Sequence, residues 1–180
     1  PISGLLDKQL VALAGTLGSN SVPVGERVYA LPWLIHLTGD AHQPLHTSVR
    51  LDADGKGDKL GNELKVSNPF NSRKSLTTLH AYWDDLPGPP WLRGERLDTA
   101  SQALTSIHPR PKRSKSSQQW IEESWQIARE SAYPEGKDEI PTITEAFFRN
   151  TREIADRRIT EAGYRLADLL NQLLKAERRA

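Results

Sequence analysis

The chain has 180 residues, of which 37% are apolar, and a formal net charge of +1. This length supports one domain with a real core, and the low charge excludes strong whole-surface attraction to nucleic acid, although a local basic patch remains open. The absence of cysteine excludes disulfides and thiolate metal sites, so any metal must bind imidazole and carboxylate groups. No run of about 18 apolar residues is present, and the sequence therefore predicts no membrane span.

Helical periodicity is clear in the first quarter of the chain. Apolar residues recur at three- and four-residue steps over Leu5–Leu17 and again from Val24 onward, which predicts two amphipathic helices. The second should be deeply buried and should carry polar ligands near its C-terminal end. Pro32 should kink this helix about one turn before His36, because proline lacks an N–H and its ring clashes with the preceding turn. Pro44 should end the helical stretch.

Residues 50–78 lose the helical period and are rich in glycine, asparagine and aspartate. They predict one long polar loop with a small hairpin at most. A loop of this length in a compact domain is usually functional or disordered. Further helices are predicted at Leu76 to Asp85, Arg93 to Ile107, Ser117 to Ala132 and Thr142 to Lys175. The predicted fold is all-α, with residues 1–180 forming a single domain.

A cluster of histidines and aspartates is the main chemical signal. Three of the five histidines and one aspartate lie in the eleven residues from His36 to His46. If the chain is helical through Asp40, His36 and Asp40 are four residues apart and project from one face. A following proline should turn the chain and bring His46 back from another direction. Farther along, His80 and Asp84 are again four residues apart.

These side chains together predict a metal site, although each histidine alone would more often be a hydrogen-bonded core or surface residue. A zinc site built from three protein ligands keeps a position for water and can lower the pKa of that water to about 7, which supplies hydroxide at neutral pH, and His46, His80 and Asp84 could form such a site. His36 and Asp40 would belong to a neighbouring ion, for which two ligands are too few.

For two residues in these motifs and for one basic segment, we favour a structural role over a role in binding metal or nucleic acid. His42 should point away from the His36–Asp40 face, which favours a structural duty over metal ligation. Trp83 could stack on a nucleobase, but its spacing suits core packing better. A basic linker could attract the phosphate backbone of a nucleic acid, but a segment of this kind is more often simply solvated. Its charged residues are Arg110, Lys112, Arg113 and Lys115.

The motifs resemble those of the zinc-dependent, single-strand-specific nucleases of the S-one/P-one (S1/P1) type, which share an all-α fold with zinc phospholipase C. The matching pieces are His36-x3-Asp40-x-His42-Gln43-Pro44-Leu45-His46, Gly61-Asn62, Leu79-His80-x2-Trp83-Asp84, Trp120–Ser124 and Ala162–Ala167. The resemblance covers nearly the whole chain. It implies up to three Zn²⁺ ions and cleavage of phosphodiesters in single-stranded DNA and RNA, with removal of 3′-phosphates from nucleotides as a second activity.

The resemblance also implies roles for individual residues. The metal ligands that it assigns are His36, Asp40, His46, His80 and Asp84. Asp40 would bridge toward a third ion, which makes it a catalytic candidate together with Asn62, for which a role as a turn residue is equally open. The family usually has a glycine where this chain has Leu60. Because only glycine takes positive φ freely, we expect the loop that presents Asn62 to have a different shape.

The family's remaining ligands come from an N-terminal tryptophan and from upstream histidines and an aspartate, and none of them is present in this sequence. Because the chain also begins at Pro1 without methionine, we expect a nuclease-type domain that lacks its N-terminal portion. The resemblance implies a secreted or periplasmic protein, although no N-terminal signal is seen. Two rival functions remain open: a zinc phospholipase C acting on lipid headgroups, and a catalytically impaired zinc-binding remnant.

Overall fold

The computed structural model describes residues 5–89, 91–112, 116–136 and 138–177. Its helices are α1 (Leu6–Leu17), α2 (Val24–Asp40), α3 (Leu79–Asp85), α4 (Glu95–Ile107), α5 (Ser117–Ser131) and α6 (Glu145–Glu177). A 3-10 turn, Pro44–Thr47, follows α2, and two short strands, β1 (Lys65–Ser67) and β2 (Leu76–Thr78), precede α3. The all-α prediction is confirmed. Within the described ranges, no helix is both long and apolar enough to cross a membrane.

Helix α2 carries the first ligand candidates and remains one continuous helix across Pro32. The prediction that it is deeply buried is wrong, because only Ala30, Leu34 and Thr38 on this helix are buried. Large apolar side chains on its other faces are 45–70% exposed, namely Val24, Val28, Tyr29, Trp33 and Ile35. The helix packs on α1 and α6 along one face, and apolar spacing alone cannot show which faces a neighbour covers.

The long polar loop contains the hairpin. Strands β1 and β2 pair antiparallel, with Lys65 opposite Thr78. The predicted helix start at Leu76 is therefore wrong by three residues, because Leu76–Thr78 pair with β1 instead. Thr78 is the last strand residue and also the N-cap of α3, where its side chain accepts a hydrogen bond from the backbone of Ala81 at 3.2 Å. The hairpin thus sets the position at which α3 begins.

Two hydrophobic clusters form the interior. The first surrounds α3 and contains Leu45, Val66, Leu79, Tyr82, Trp83, Leu86, Ala128, Ala132, Ile143, Ile154 and Ala155. The second lies between α1, α2 and α5 and contains Leu10, Leu17, Ala30, Leu34, Ala41 and Trp120. Ala41 and Leu45 belong to different clusters although only three residues separate them. The segment from Asp40 to His46 therefore crosses from one cluster to the other, and both hold it.

A buried ionic network lies where the two clusters meet. Arg158 and Arg165 on α6 are 3% and 4% exposed, and both donate to Oε2 of Glu123 on α5, at 2.9 and 2.8 Å. Arg158 also donates to Oε2 of Glu161 at 2.5 Å and to the hydroxyl of Ser124 at 2.8 Å. Guanidinium groups this deeply buried are tolerated only when carboxylates and hydrogen bonds compensate their lost hydration.

The same network holds the C-terminal end of α2. The guanidinium of Arg158 reaches the carbonyl of His42 at 3.4 Å, and Nδ1 of His42 donates to the carbonyl of Thr38 at 2.7 Å. Nε2 of His42 accepts from Arg165 at 2.8 Å. Burial and the charge of Arg158 lower the pKa of His42 to about 3, so the ring is neutral, as these two bonds require. The predicted structural duty of His42 is confirmed.

Replacing Glu123 by alanine should lower the free energy of unfolding by roughly 3–5 kcal/mol, because two buried guanidinium groups lose a shared carboxylate. Chemical denaturation followed by circular dichroism measures this change. Glu122, the preceding and exposed residue of α5, provides the matched control, and Glu122→Ala should change stability by about 0.5 kcal/mol or less. Equal stability of the two variants would contradict the anchoring role of the network.

Candidate metal centre

Three of the predicted ligands converge. His46 comes from the 3-10 turn, whereas His80 and Asp84 occupy successive turns of α3. One ligand atom from each lies within 4.8 Å of the others, which makes this a group that could hold a metal ion. The Nε2 atoms of His46 and His80 lie 3.4 Å from Oδ1 and Oδ2 of Asp84 respectively. The two imidazole rings are stacked, with centroids 4.9 Å apart.

The outer nitrogens of both imidazoles contact fixed oxygen atoms. Nδ1 of His80 lies 2.8 Å from the carbonyl oxygen of Leu60, to which it donates. Nδ1 of His46 lies 3.2 Å from Oδ1 of Asp40. Each ring therefore presents Nε2 toward Asp84. An oxygen acceptor behind a histidine of this kind fixes the tautomer and the ring orientation of a metal ligand.

His36 and Asp40 form a second pair beside the first group. Oδ2 of Asp40 lies 3.2 Å from Nε2 of His36, whose side chain is 64% exposed. The predicted same-face arrangement on α2 is confirmed. Asp40 links the two pairs because its other oxygen faces His46. Within the described ranges, this second pair does not assemble a further group of three candidate ligands.

Gln43 entered the sequence analysis only as part of the His36–His46 motif, without a contact assigned to it, and the structure shows that it connects the two segments that carry the ligands. Its amide nitrogen donates to Oδ1 of Asp84 at 2.9 Å, and its side-chain oxygen accepts from the backbone of Leu45 at 2.5 Å. The second bond caps the 3-10 turn, and the first ties that turn to α3. A polar residue directly before Pro44 is a capping signal that could have identified it.

The charges of the cluster attract a cation. Burial lowers the pKa of His46, but the carboxylates of Asp40 and Asp84 outweigh burial and raise it to about 9. Burial raises the pKa of Asp84, yet His46, Gln43 and the charge of His80 lower it overall. The cluster thus stabilises positive charge at His46, which a proton or a metal ion can supply.

The residues fit a zinc ion. Two imidazoles and one carboxylate form a common ligand set for zinc with an open coordination position. Nε2 of His46 is buried and has no hydrogen-bond partner among the described residues, because its 3.4 Å contact with Asp84 is an ion pair without hydrogen-bond geometry. A metal ion would satisfy this nitrogen.

The loop beside His80 has the expected polar character, whereas its expected difference in shape from the loop of the family stays a prediction. Leu60 itself adopts the left-handed conformation with φ of 62°, the region in which a glycine would be unstrained. Asn62 is exposed, and its amide donates to the carbonyl of Lys59 at 2.9 Å. This bond supports the turn interpretation of Asn62 and leaves its proposed catalytic role untested.

Two further expectations concern residues outside the cluster. Trp83 is 1% exposed and donates to the carbonyl of Ala132 at 3.0 Å, which confirms core packing. In the basic linker, the guanidinium of Arg110 pairs with Asp168 and lies over the ring of Tyr164. Arg110 is therefore attached to α6. The other basic residues of the stretch include Arg113 and Lys115, which lie outside the described residues.

Fold and site together define an α-helical protein with a candidate divalent-metal centre. The S1/P1 Nuclease family model matches residues 7–175, and the chain therefore belongs to the S1/P1 nuclease family. Endonuclease 3 of Arabidopsis thaliana is 26% identical over 165 residues, an alignment that covers 83% of this chain and 53% of that protein. The chain thus spans about half the length of this curated relative.

Replacing His46 by alanine should abolish tight zinc binding, because the trio loses the ligand that joins the 3-10 turn to α3. Zinc at a hundredfold excess over Kd should raise the unfolding free energy of the unchanged chain by about 2.7 kcal/mol, and the variant should lose this gain. Metal analysis and thermal unfolding with and without zinc test both statements. The control is His108→Ala, after α4, which should bind zinc like the unchanged chain. Unaltered metal content in His46→Ala would show that the trio is assigned wrongly.

Proposed function

We propose that this chain carries the zinc centre of a phosphodiesterase that hydrolyses single-stranded DNA or RNA. The supporting observation is the convergence of His46, His80 and Asp84 in a chain of the S1/P1 nuclease family. The name of the Arabidopsis relative, an endonuclease, agrees with this reaction class. A secreted or periplasmic location belongs to the same proposal.

Zinc at this centre would activate a water nucleophile and neutralise developing charge on the phosphate oxygens. The chain's own residues would prepare the site. Asp40 holds Nδ1 of His46, and Gln43 holds one oxygen of Asp84, so both ligands are oriented before a metal arrives. His36 and Asp40 would bind neighbouring zinc ions beside the trio and extend the positive field along a bound phosphodiester.

Exposed side chains beside the metal centre suggest how a substrate would contact it. Asp84 is 46% exposed and His36 is 64% exposed, so a polynucleotide backbone can approach the centre from solvent. Asn62 follows Gly61, whose carbonyl accepts the backbone N–H of His80 at 3.3 Å. We propose that the exposed amide of Asn62 donates to a phosphate oxygen of the substrate.

A catalytically impaired zinc-binding remnant is the second candidate, and one observation favours it. His36 and Asp40 provide two candidate ligands, and no third joins them within the described part of the chain. An ion held by two ligands binds poorly and gives little stabilisation to a leaving oxygen. A phospholipase C-like reaction on lipid headgroups is the third candidate, since zinc enzymes of that class share the fold that the resemblance implies.

Cleavage by the zinc-loaded chain should be faster on single-stranded DNA than on duplex DNA or on phosphatidylcholine vesicles. Chelation should abolish it, and added zinc should restore it. Asp84→Asn should lower the rate by about 10²–10³, because the centre loses its anionic ligand. Asp85, the next residue on α3, is exposed and is not a member of the trio, so Asp85→Asn is the matched control.

The outcomes separate the three functions. Zinc binding without cleavage of any phosphodiester would support the remnant, and preferential headgroup release would support the phospholipase C-like reaction. Cleavage that survives in Asp84→Asn at full strength would place the active centre elsewhere in the chain.

A further inference from the structure

We propose that Tyr133 is a positioning residue for the metal ligand His80, acting through Asp58 and the loop 58–61. This inference rests on the proposed metal centre. Tyr133 has no contact with the three ligands among the interactions of the described residues, and it lies outside the sequence motifs that carry the resemblance. Its role follows from a chain of contacts that leads from the segment directly after α5 to the ring of His80.

The last contact of this chain is made by the backbone of the loop. The carbonyl of Leu60 accepts the Nδ1 proton of His80 at 2.8 Å, and the carbonyl of Gly61 accepts the backbone N–H of His80 at 3.3 Å. In the neutral ring the first bond keeps the proton on Nδ1, so that Nε2, which faces Asp84, is the nitrogen available to a metal. The location of the Leu60 carbonyl therefore decides whether His80 can bind a metal without rotating its ring or changing its tautomer.

The loop holds that carbonyl in a strained conformation. Lys59 and Leu60 have φ of 51° and 62°, a region that is sterically unfavourable for residues other than glycine. Gly61 follows with φ of 81°, and a Cβ there would lie 3.0 Å from Cδ1 of Leu45. Three successive left-handed residues persist only when the surroundings hold both ends of the turn.

The backbone of Asp58 closes this loop, and its carboxylate is hydrogen-bonded to Tyr133. The carbonyl of Asp58 accepts the backbone N–H of Glu63 at 3.1 Å, which closes the loop across Leu60 and Gly61. The carboxylate of Asp58 accepts the hydroxyl of Tyr133 at 2.6 Å and the backbone N–H of Arg50 at 3.1 Å. The guanidinium of Arg50 lies 4.2 Å from the centre of the Tyr133 ring. Burial and Asp58 raise the pKa of Tyr133, so its hydroxyl remains a donor.

Tyr133 is suited to this role because the residue before it is hydrogen-bonded to α3. The preceding residue, Ala132, is fully buried, and its carbonyl accepts the indole N–H of Trp83 at 3.0 Å. Trp83 in turn lies directly before Asp84 on α3. The base of the loop and the helix that carries two ligands are therefore both bound to two consecutive residues that directly follow α5, Tyr133 and Ala132. A shift of the loop relative to His80 requires one of these bonds to break.

The test compares Tyr133→Phe with the unchanged chain and with Tyr164→Phe. Tyr164 also lies under an arginine, Arg110, but it is on α6 and outside the contact chain. Zinc affinity is measured by competition with a chromophoric chelator, and the tautomer of His80 is read from its ring ¹⁵N chemical shifts. We expect Tyr133→Phe to weaken zinc binding about 10-fold, the lower end of the effect of losing an outer partner of a ligand. The His80 ring should populate both tautomers in that variant. Tyr164→Phe should change neither quantity.

A second variant guards against a simple loss of folding. Asp58→Asn keeps the shape of the side chain and weakens the acceptor for Tyr133, so it should shift zinc affinity in the same direction by a smaller factor. Unchanged affinity and an unchanged His80 tautomer in a folded Tyr133→Phe protein would overturn the positioning role alone. Failure of the unchanged chain to bind zinc would overturn the metal centre itself.

Discussion

The position of the candidate centre depends on how the C-terminal end of α2 is held in the interior. A helix end leaves carbonyl groups without helical partners, and burying them is costly unless other donors replace the missing ones. Here the donors come from α5 and α6. Ser124 donates to the carbonyl of Ala41 at 2.7 Å, and Arg158 reaches the carbonyl of His42. These bonds fix the direction of the chain between Asp40 and His46, the two ligand candidates on either side.

The charges of this network are balanced so that the histidine within it stays neutral. Two guanidinium groups face Glu123 and Glu161, and Arg165 donates to the ring of His42. A protonated His42 would bring a third positive charge into a buried space. The opposite balance holds a few residues farther along the chain, where carboxylates face His46 and favour its positive form. Two histidines four residues apart thus lie in opposite electrostatic surroundings, and the carboxylates that face His46 would also stabilise a metal ion that takes the place of its proton.

The candidate centre is carried by two short elements, the 3-10 turn and α3. α3 is a short helix of seven residues, too short to persist alone in water. Three contacts set its position. They are the hairpin at its start, the burial of its own residue Trp83, and the hydrogen bond from the ring of His80 to the strained loop. The 3-10 turn that carries His46 is joined to it through Gln43. The ligands are therefore positioned by contacts between elements, and no single element would place them alone.

The sequence by itself determined the fold class, most of the helices and the set of candidate ligands. Helical periodicity and proline positions are local, so α1, α2, α4, α5 and α6 could be predicted within a few residues. The spacing of His36 and Asp40, and of His80 and Asp84, is also local, because four residues are about one helical turn.

Only the tertiary structure decided which of these groups meet and what surrounds them. His46 and His80 are far apart in sequence, and their stacking depends on how the hairpin and the helices pack. The exposure of α2 was mispredicted because the spacing of apolar residues shows which helix faces could be buried. Whether they are buried depends on which neighbouring elements cover them. The strand at Leu76–Thr78 was missed because strand pairing is nonlocal. The contacts of Gln43 and Tyr133 with distant segments follow from packing for the same reason, since a hydrogen bond between segments leaves no periodic signal in the sequence.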